Sequence, residues 1–150
     1  MLLVDRETMQ NIDSYAINEI KIPSLCLVER AALSVMENIN LEIRHSFALI
    51  VSCGNNGADG LALARNLLAI SKDCDIYIIG NKNKASKDFI INYNACKNLT
   101  ENIYSIETIE DMNFLRKNLD RVNTIVDGIF GTGLNRPVSG TVSYTHLRAH

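Results

Sequence analysis

The chain has 150 residues, 47% of them hydrophobic and 21% charged, and 15 basic against 17 acidic side chains leave a net charge of -2. That length makes one domain with a core of its own. A balanced charge, 6% aromatic residues and no Trp give nucleic acid neither a basic face nor a stacking platform, and no apolar run is long enough to span a bilayer.

In chain order, Met9, Ile12, Ala16, Ile17 and Ile20 recur at helical spacing, with Asp5 as the expected cap and Glu7 in the first turn. So acidic and amphipathic a start is unlike a signal or transit peptide, and the expected location is the cytoplasm. Pro23 ends this helix and Ser24 is expected to cap the next. Leu25, Val28, Ala31, Ala32, Val35, Met36 and Ile39 mark the second helix's apolar face, whose small residues predict close packing on a sheet or on a partner chain. Cys26, Cys53, Cys74 and Cys96 are scattered without a C-x-x-C pair. They read as small buried hydrophobes in a reducing compartment, and their spacing suits no zinc site.

From Phe47 the texture changes. The run "FALIVSC" predicts a strand covered on both faces. A helix follows with Leu61, Ala64, Leu67 and Leu68, then a strand "DIYIIG" from Asp75 and a helix carrying Phe89, Ile90, Tyr93 and Cys96. A short strand "NIYSI" starts at Asn102, a helix covers about Ile109 to Leu119, and a strand "VNTIVDG" starts at Val122. Alternating strands and helices predict an α/β fold: a doubly wound, Rossmann-like parallel sheet with helices on both faces, preceded by two N-terminal helices. There is no internal repeat, low-complexity segment or linker.

Two connections stand apart. After the first strand comes "GNNGADG", with Gly54, Gly57 and Gly60; after the fourth comes "DGIFGTGLNRPVSG", with Gly128, Gly131 and Gly133. In a sheet of order 3-2-1-4 these two loops, and only these, meet at the switch point where a crevice opens. Glycine permits close backbone approach and positive φ. Gly57 to Gly60 is expected to open a helix whose free N–H groups suit an anion, with Asp59 in its first turn. Asn55 and Asn56 bring amides, and Asp127 ends the fourth strand with a carboxylate, a hard-oxygen set suited to an alkali or alkaline-earth ion. Plainer readings stand beside these. The glycine turn can be structural, Asp59 can serve the helix dipole, Asp127 can close an Asx turn, and Pro137 can stiffen its loop. Lys82, Lys84 and Lys87 read first as a solvated loop, and as phosphate ligands second. G-x-x-G-x-x-G is not the dinucleotide fingerprint, no acidic residue ends the second strand, and no G-K-[ST] closes a P-loop.

"GNNGADG", "DGIFGTGLNRP" and "IPSLCLVERAA" together resemble the NAD(P)H-hydrate epimerase family, the YjeF N-terminal domain, over nearly the whole chain to about Gly140. The resemblance implies epimerisation of the R and S forms of hydrated NADH and NADPH, so that a dehydratase, fused or separate, can restore the cofactor. NAD(P)H hydrate is then substrate and not a redox cofactor. The resemblance implies substrate contacts at Asn55, Asn56, Gly57, Ala58 and Asp59, and at Gly131, Thr132, Gly133, Leu134, Asn135, Arg136 and Pro137. It implies a potassium ion at Asn56 and Asp127, and a homodimer through the N-terminal helices. Ala58 stands where the family has glycine, which keeps the site open only if its φ is negative. After "RPVSG" the family continues to a strand tipped by a D-x-P-S-G motif whose Asp is the expected acid/base. Here "TVSYTHLRAH" follows instead. Residues 1–140 are therefore expected to form an incomplete domain lacking its C-terminal strands and acid/base. Residues 141–150 are expected to be a non-native tail, and the fragment to be inactive. The rival readings are a non-catalytic nucleotide-binding or scaffold module of the same fold, and a flavodoxin-like domain.

Overall fold

The computed structural model describes residues 4–131. Two helices come first, α1 (Arg6–Asn18) and α2 (Ser24–Glu37). Strands and helices then alternate: β1 (Ser46–Ser52), α3 (Asn55–Ala69), β2 (Asp73–Ile79), α4 (Lys87–Lys97), β3 (Ile103–Ile106), α5 (Ile109–Leu119) and β4 (Thr124–Gly128). The four strands are parallel in the order β3-β2-β1-β4, the order expected of a doubly wound sheet.

β1 is one of the two interior strands, with β2 beside it. Ile50 lies opposite Tyr77 of β2 on one side and Asp127 of β4 on the other. Its alternate residues feed two cores, because successive side chains of a strand point to opposite faces. Phe47, Leu49 and Val51 join Cys74, Ile76 and Ile78 of β2 beneath α3, with Val28 and Ala32 of α2 and Phe89 and Cys96 of α4. Ala48 and Ile50 join Tyr77, Ile79, Met112 and Leu115 on the face that α5 covers. Helices thus lie on both faces of the sheet.

Local chemistry explains most element ends. Asp5 caps α1 by accepting the Thr8 N–H at 2.8 Å. Ser86 caps α4 through the Phe89 N–H, and α5 has a complete capping box between Thr108 and Asp111. Ser24 does not cap α2: Pro23 holds the cap position and Ser24 is already helical, because proline's fixed φ lets the helix start directly behind it. Of the apolar face of α2, Val28 and Ala32 are buried, with the helix packed mainly on α3, while Ala31 and Val35 are exposed. α1 buries none of its residues. Cys53, Cys74 and Cys96 are buried, Cys26 is exposed, and all four are free thiols.

Candidate functional site

β1 and β4 are neighbours, so the two glycine loops leave the same end of the sheet side by side. They touch. A β-carbon on Gly131 would lie 3.0 Å from Oδ1 of Asn56, and one on Gly128 would lie 3.5 Å from the Asn56 carbonyl oxygen. Residues more than 70 positions apart in the chain therefore form one edge of a single crevice.

The first loop is shorter than its glycine content suggests. α3 opens at Asn55, directly after Gly54, and not within Gly57 to Gly60. Asn55, Asn56 and Gly57 make up its first turn, and Asp59 falls in the second, where the dipole of the helix end has faded. The glycines serve packing. A β-carbon on Gly57 would come within 1.7 Å of the Ser52 carbonyl oxygen, and one on Gly60 within 2.6 Å of Val51 Cγ1. Among the described residues the glycine with positive φ is Gly80, so Gly54, Gly57, Gly60, Gly128 and Gly131 do not use the left-handed freedom that glycine permits, and Gly133 lies outside the described residues. The close spacing of α3 on β1 is what demands Gly57 and Gly60.

Gly54 caps α3 without a side chain, whereas α1, α4 and α5 each have a side-chain cap. The first N–H groups of α3 are left pointing out of the helix end at the switch point. Asn55 is exposed and Asn56 half-buried beside them. Ala58 is fully buried with helical backbone, so its methyl group sits in the core and not in the crevice. Asp59 is half-buried. Burial, helped by the nearby charges of Asp13 and Asp88, pushes its carboxyl up to about 6. Asp127 is exposed at the end of β4, and its Oδ1 accepts the Ile129 N–H at 3.0 Å, closing an Asx turn. That turn reading is correct, and it fixes the carboxylate beside the crevice. Thr132, Gly133, Leu134, Asn135, Arg136 and Pro137, with the tail at 141–150, lie outside the described residues.

Two features were hidden in the sequence. A polar lock joins α2, α3 and α4: Arg65 pairs with Glu29 and donates to Asn92 Oδ1, while Asn66 donates to Glu29 Oε1 at 2.9 Å. One carboxylate, one guanidinium and two amides spread over three separate helices carry no local pattern that announces such a lock. The lysines of "NKNKASK", read first as a solvated loop, are exposed as expected at Lys82, Lys84 and Lys87; what the sequence did not announce is the turn itself, shaped by Gly80 and by Asn81, which caps a 3-10 turn at Lys82–Lys84. Among the described residues no group of three or more His, Cys, Asp or Glu side chains is placed to hold a metal. Among them too, no helix is long and apolar enough to cross a membrane.

Comparison with known proteins agrees with this architecture. Residues 24–148 match the family described as YjeF-related protein N-terminus. The chain is 58% identical over 144 residues to the NAD(P)H-hydrate epimerase of Anaerococcus prevotii, covering 96% of this chain and 66% of that protein. It is 34% identical over 146 residues to the NAD(P)H-hydrate epimerase of Oenococcus oeni, covering 95% and 65% respectively. The crystal structure of yeast ynu0, YNL200c, superposes with a TM-score of 0.76 at 18% identity, covering 97% of this chain and 63% of that one, and shares the fold. The chain spans 65–66% of the length of these two curated relatives. With the family matched over most of its length and these relatives beside it, the chain belongs to the YjeF N-terminal family.

Proposed function

We propose that this protein interconverts the R and S forms of hydrated NADH and NADPH, taking the nicotinamide nucleotide as substrate and not as hydride carrier. One observation carries the reading: the two glycine loops meet at the β1–β4 boundary, with Asn56 against Gly131. The names of the relatives from Anaerococcus prevotii and Oenococcus oeni support it. In this reading the open N-terminus of α3 receives the diphosphate, and Asn55, Asn56 and Asp59 contact the nucleotide. The hydroxyl-bearing carbon of the substrate is bonded to the ring nitrogen, whose lone pair helps expel water. Addition from the other face then inverts the centre. The protein has only to hold the ring and move a proton.

A potassium ion fits the donor chemistry. One carboxylate, an amide oxygen and main-chain carbonyls form an oxygen set of low charge, which suits a monovalent ion better than a divalent one. We assign it to Asn56 and Asp127. Held there, it would supply positive charge to the anionic nucleotide; Asn56 and Asp127 themselves orient the loop ends that hold the nucleotide. We further infer a homodimer through α1, a dehydratase (fused or separate) that consumes one epimer, and a cytoplasmic location. The four free thiols support the last of these.

The test is thermal unfolding of the chain with NADPH, and with potassium against sodium, beside chromatography of the two hydrate epimers. NADPH and potassium are each expected to raise Tm, and Asn56→Ala to abolish both shifts. A chain indifferent to both would overturn the reading. A protein that carries the family's acid/base, binds NADPH and yet leaves epimer exchange at its uncatalysed rate would be a binding module instead.

A further inference from the structure

At the carboxyl ends of β2 and β3 a cleft of about 590 Å³ opens, lined among others by Gly80, Asn81, Lys82, Ile106 and Glu107. Its walls are built with care. The chain leaves β2 at Gly80 with φ +112°, a conformation that an L side chain adopts only with strain. Asn81 accepts the Asn83 N–H at 2.9 Å and closes the turn. The Ser86 N–H donates to the Cys53 carbonyl at 3.0 Å, which ties the end of this loop to the glycine loop after β1. Lys82 donates from its ammonium to Ser105 Oγ of β3 at 2.9 Å and stands 5.6 Å from the centre of the Tyr93 ring. Lys82 lines the cleft, and its ammonium is held beside it, at Ser105 near the end of β3, although the side chain is exposed.

In a doubly wound sheet a dinucleotide lies across the switch point. Its diphosphate sits at the first helix N-terminus and one of its riboses at the end of the second strand. There an acidic side chain accepts from a free 2′-hydroxyl, while a basic one accommodates a 2′-phosphate. β2 ends here in Gly80-Asn81-Lys82. An ammonium group has donors only, so it can bind phosphate oxygens and cannot accept from a hydroxyl. We propose that the cleft takes the adenosine half of the hydrated dinucleotide, and that Lys82, anchored by Ser105, selects the 2′-phosphorylated form. This rests on the crevice being a site for hydrated NAD(P)H. It goes further by naming NADPH hydrate as the preferred substrate. Glu107, at the end of β3, is the group that would favour the opposite preference by accepting from a 2′-hydroxyl.

Calorimetric titration of the 150-residue chain with 2′-phospho-ADP-ribose and with ADP-ribose tests this. The phosphorylated probe is expected to bind about tenfold more tightly, the worth of one charge-assisted hydrogen bond. Lys82→Ala should erase that preference and Lys82→Arg keep it. Ser105→Ala, which removes the anchor but not the charge, should give an intermediate loss. Unchanged Tm in each variant would show that the fold is intact. Equal binding of the two probes, tighter binding of ADP-ribose, or a preference that survives Lys82→Ala would overturn the selection by Lys82 and leave the crevice reading standing. Failure of both probes to bind would overturn both.

Discussion

Gly57 shows how one missing methyl group holds the site in place. Its α-carbon rests against the end of β1, and a β-carbon there would fall 1.7 Å from the Ser52 carbonyl oxygen. Backbone would have to move, so Gly57→Ala is expected to cost about 3 kcal/mol or more in urea unfolding. Gly54 has only Ser52 Oγ nearby, at 3.9 Å, and should accept alanine with a far smaller loss. Asp59 makes a second prediction at this scale. Its folded carboxyl sits at about 6, above the ordinary 3.8. Between about pH 4 and pH 6 the folded protein holds a proton that the unfolded chain has released. Stability therefore falls as pH rises through that window and is flat above it. Asp59→Asn should remove this slope and stabilise the protein at pH 7 by about 1 kcal/mol, solvent screening having reduced the full effect of the shift. Unfolding midpoints at pH 4, 5, 6 and 7 for both proteins would check it.

Among the elements, α5 has a built start: Thr108 Oγ1 accepts the Asp111 N–H at 3.2 Å, and Asp111 Oδ2 accepts the Thr108 N–H at 2.9 Å. Thr108→Ala is expected to destabilise by about 1 kcal/mol in the same unfolding assay, with α5 as the element that frays first. This helix was also the easiest to read, and its predicted span matches the observed Ile109–Leu119. A threonine cap, two early acids and a clear apolar stripe (Met112, Leu115) all agree there. β1 was legible for a similar reason, as a continuous apolar run of strand length, containing β-branched residues and followed by glycine, reads as a strand buried on both faces. β2 was read two residues short because Asp73 and Cys74 look like loop, although Asp73 pairs with Ser46. The start of α3 was misplaced because glycine and asparagine have poor helix propensity, and tertiary packing on β1 overrides it. The site was visible as two odd loops. The anchored Lys82 was not, since its partner Ser105 lies on another strand with no sequence pattern to join them.

At the scale of the whole molecule, α1 is the α-helix that the described residues leave least covered. Met9, Ile12 and Tyr15 are 41%, 51% and 60% exposed, and the helix buries nothing. The proposed homodimer would cover them. Light scattering is expected to give a dimer mass, and Ile12→Glu with Tyr15→Lys a monomer of unchanged Tm for the core. A monomeric parent chain would rule this face out as the interface. The division of labour inside the first glycine loop also reaches beyond this chain. Gly57 and Gly60 are demanded by the spacing between a helix and a strand, so a relative that has lost its ligand would still have to retain them. Asn56 has no such structural duty in the helix, and what it faces is the crevice edge at Gly131. Under the proposed function, glycine spacing is blind to the difference between working members and retired ones, and the informative letter is the amide at position 56.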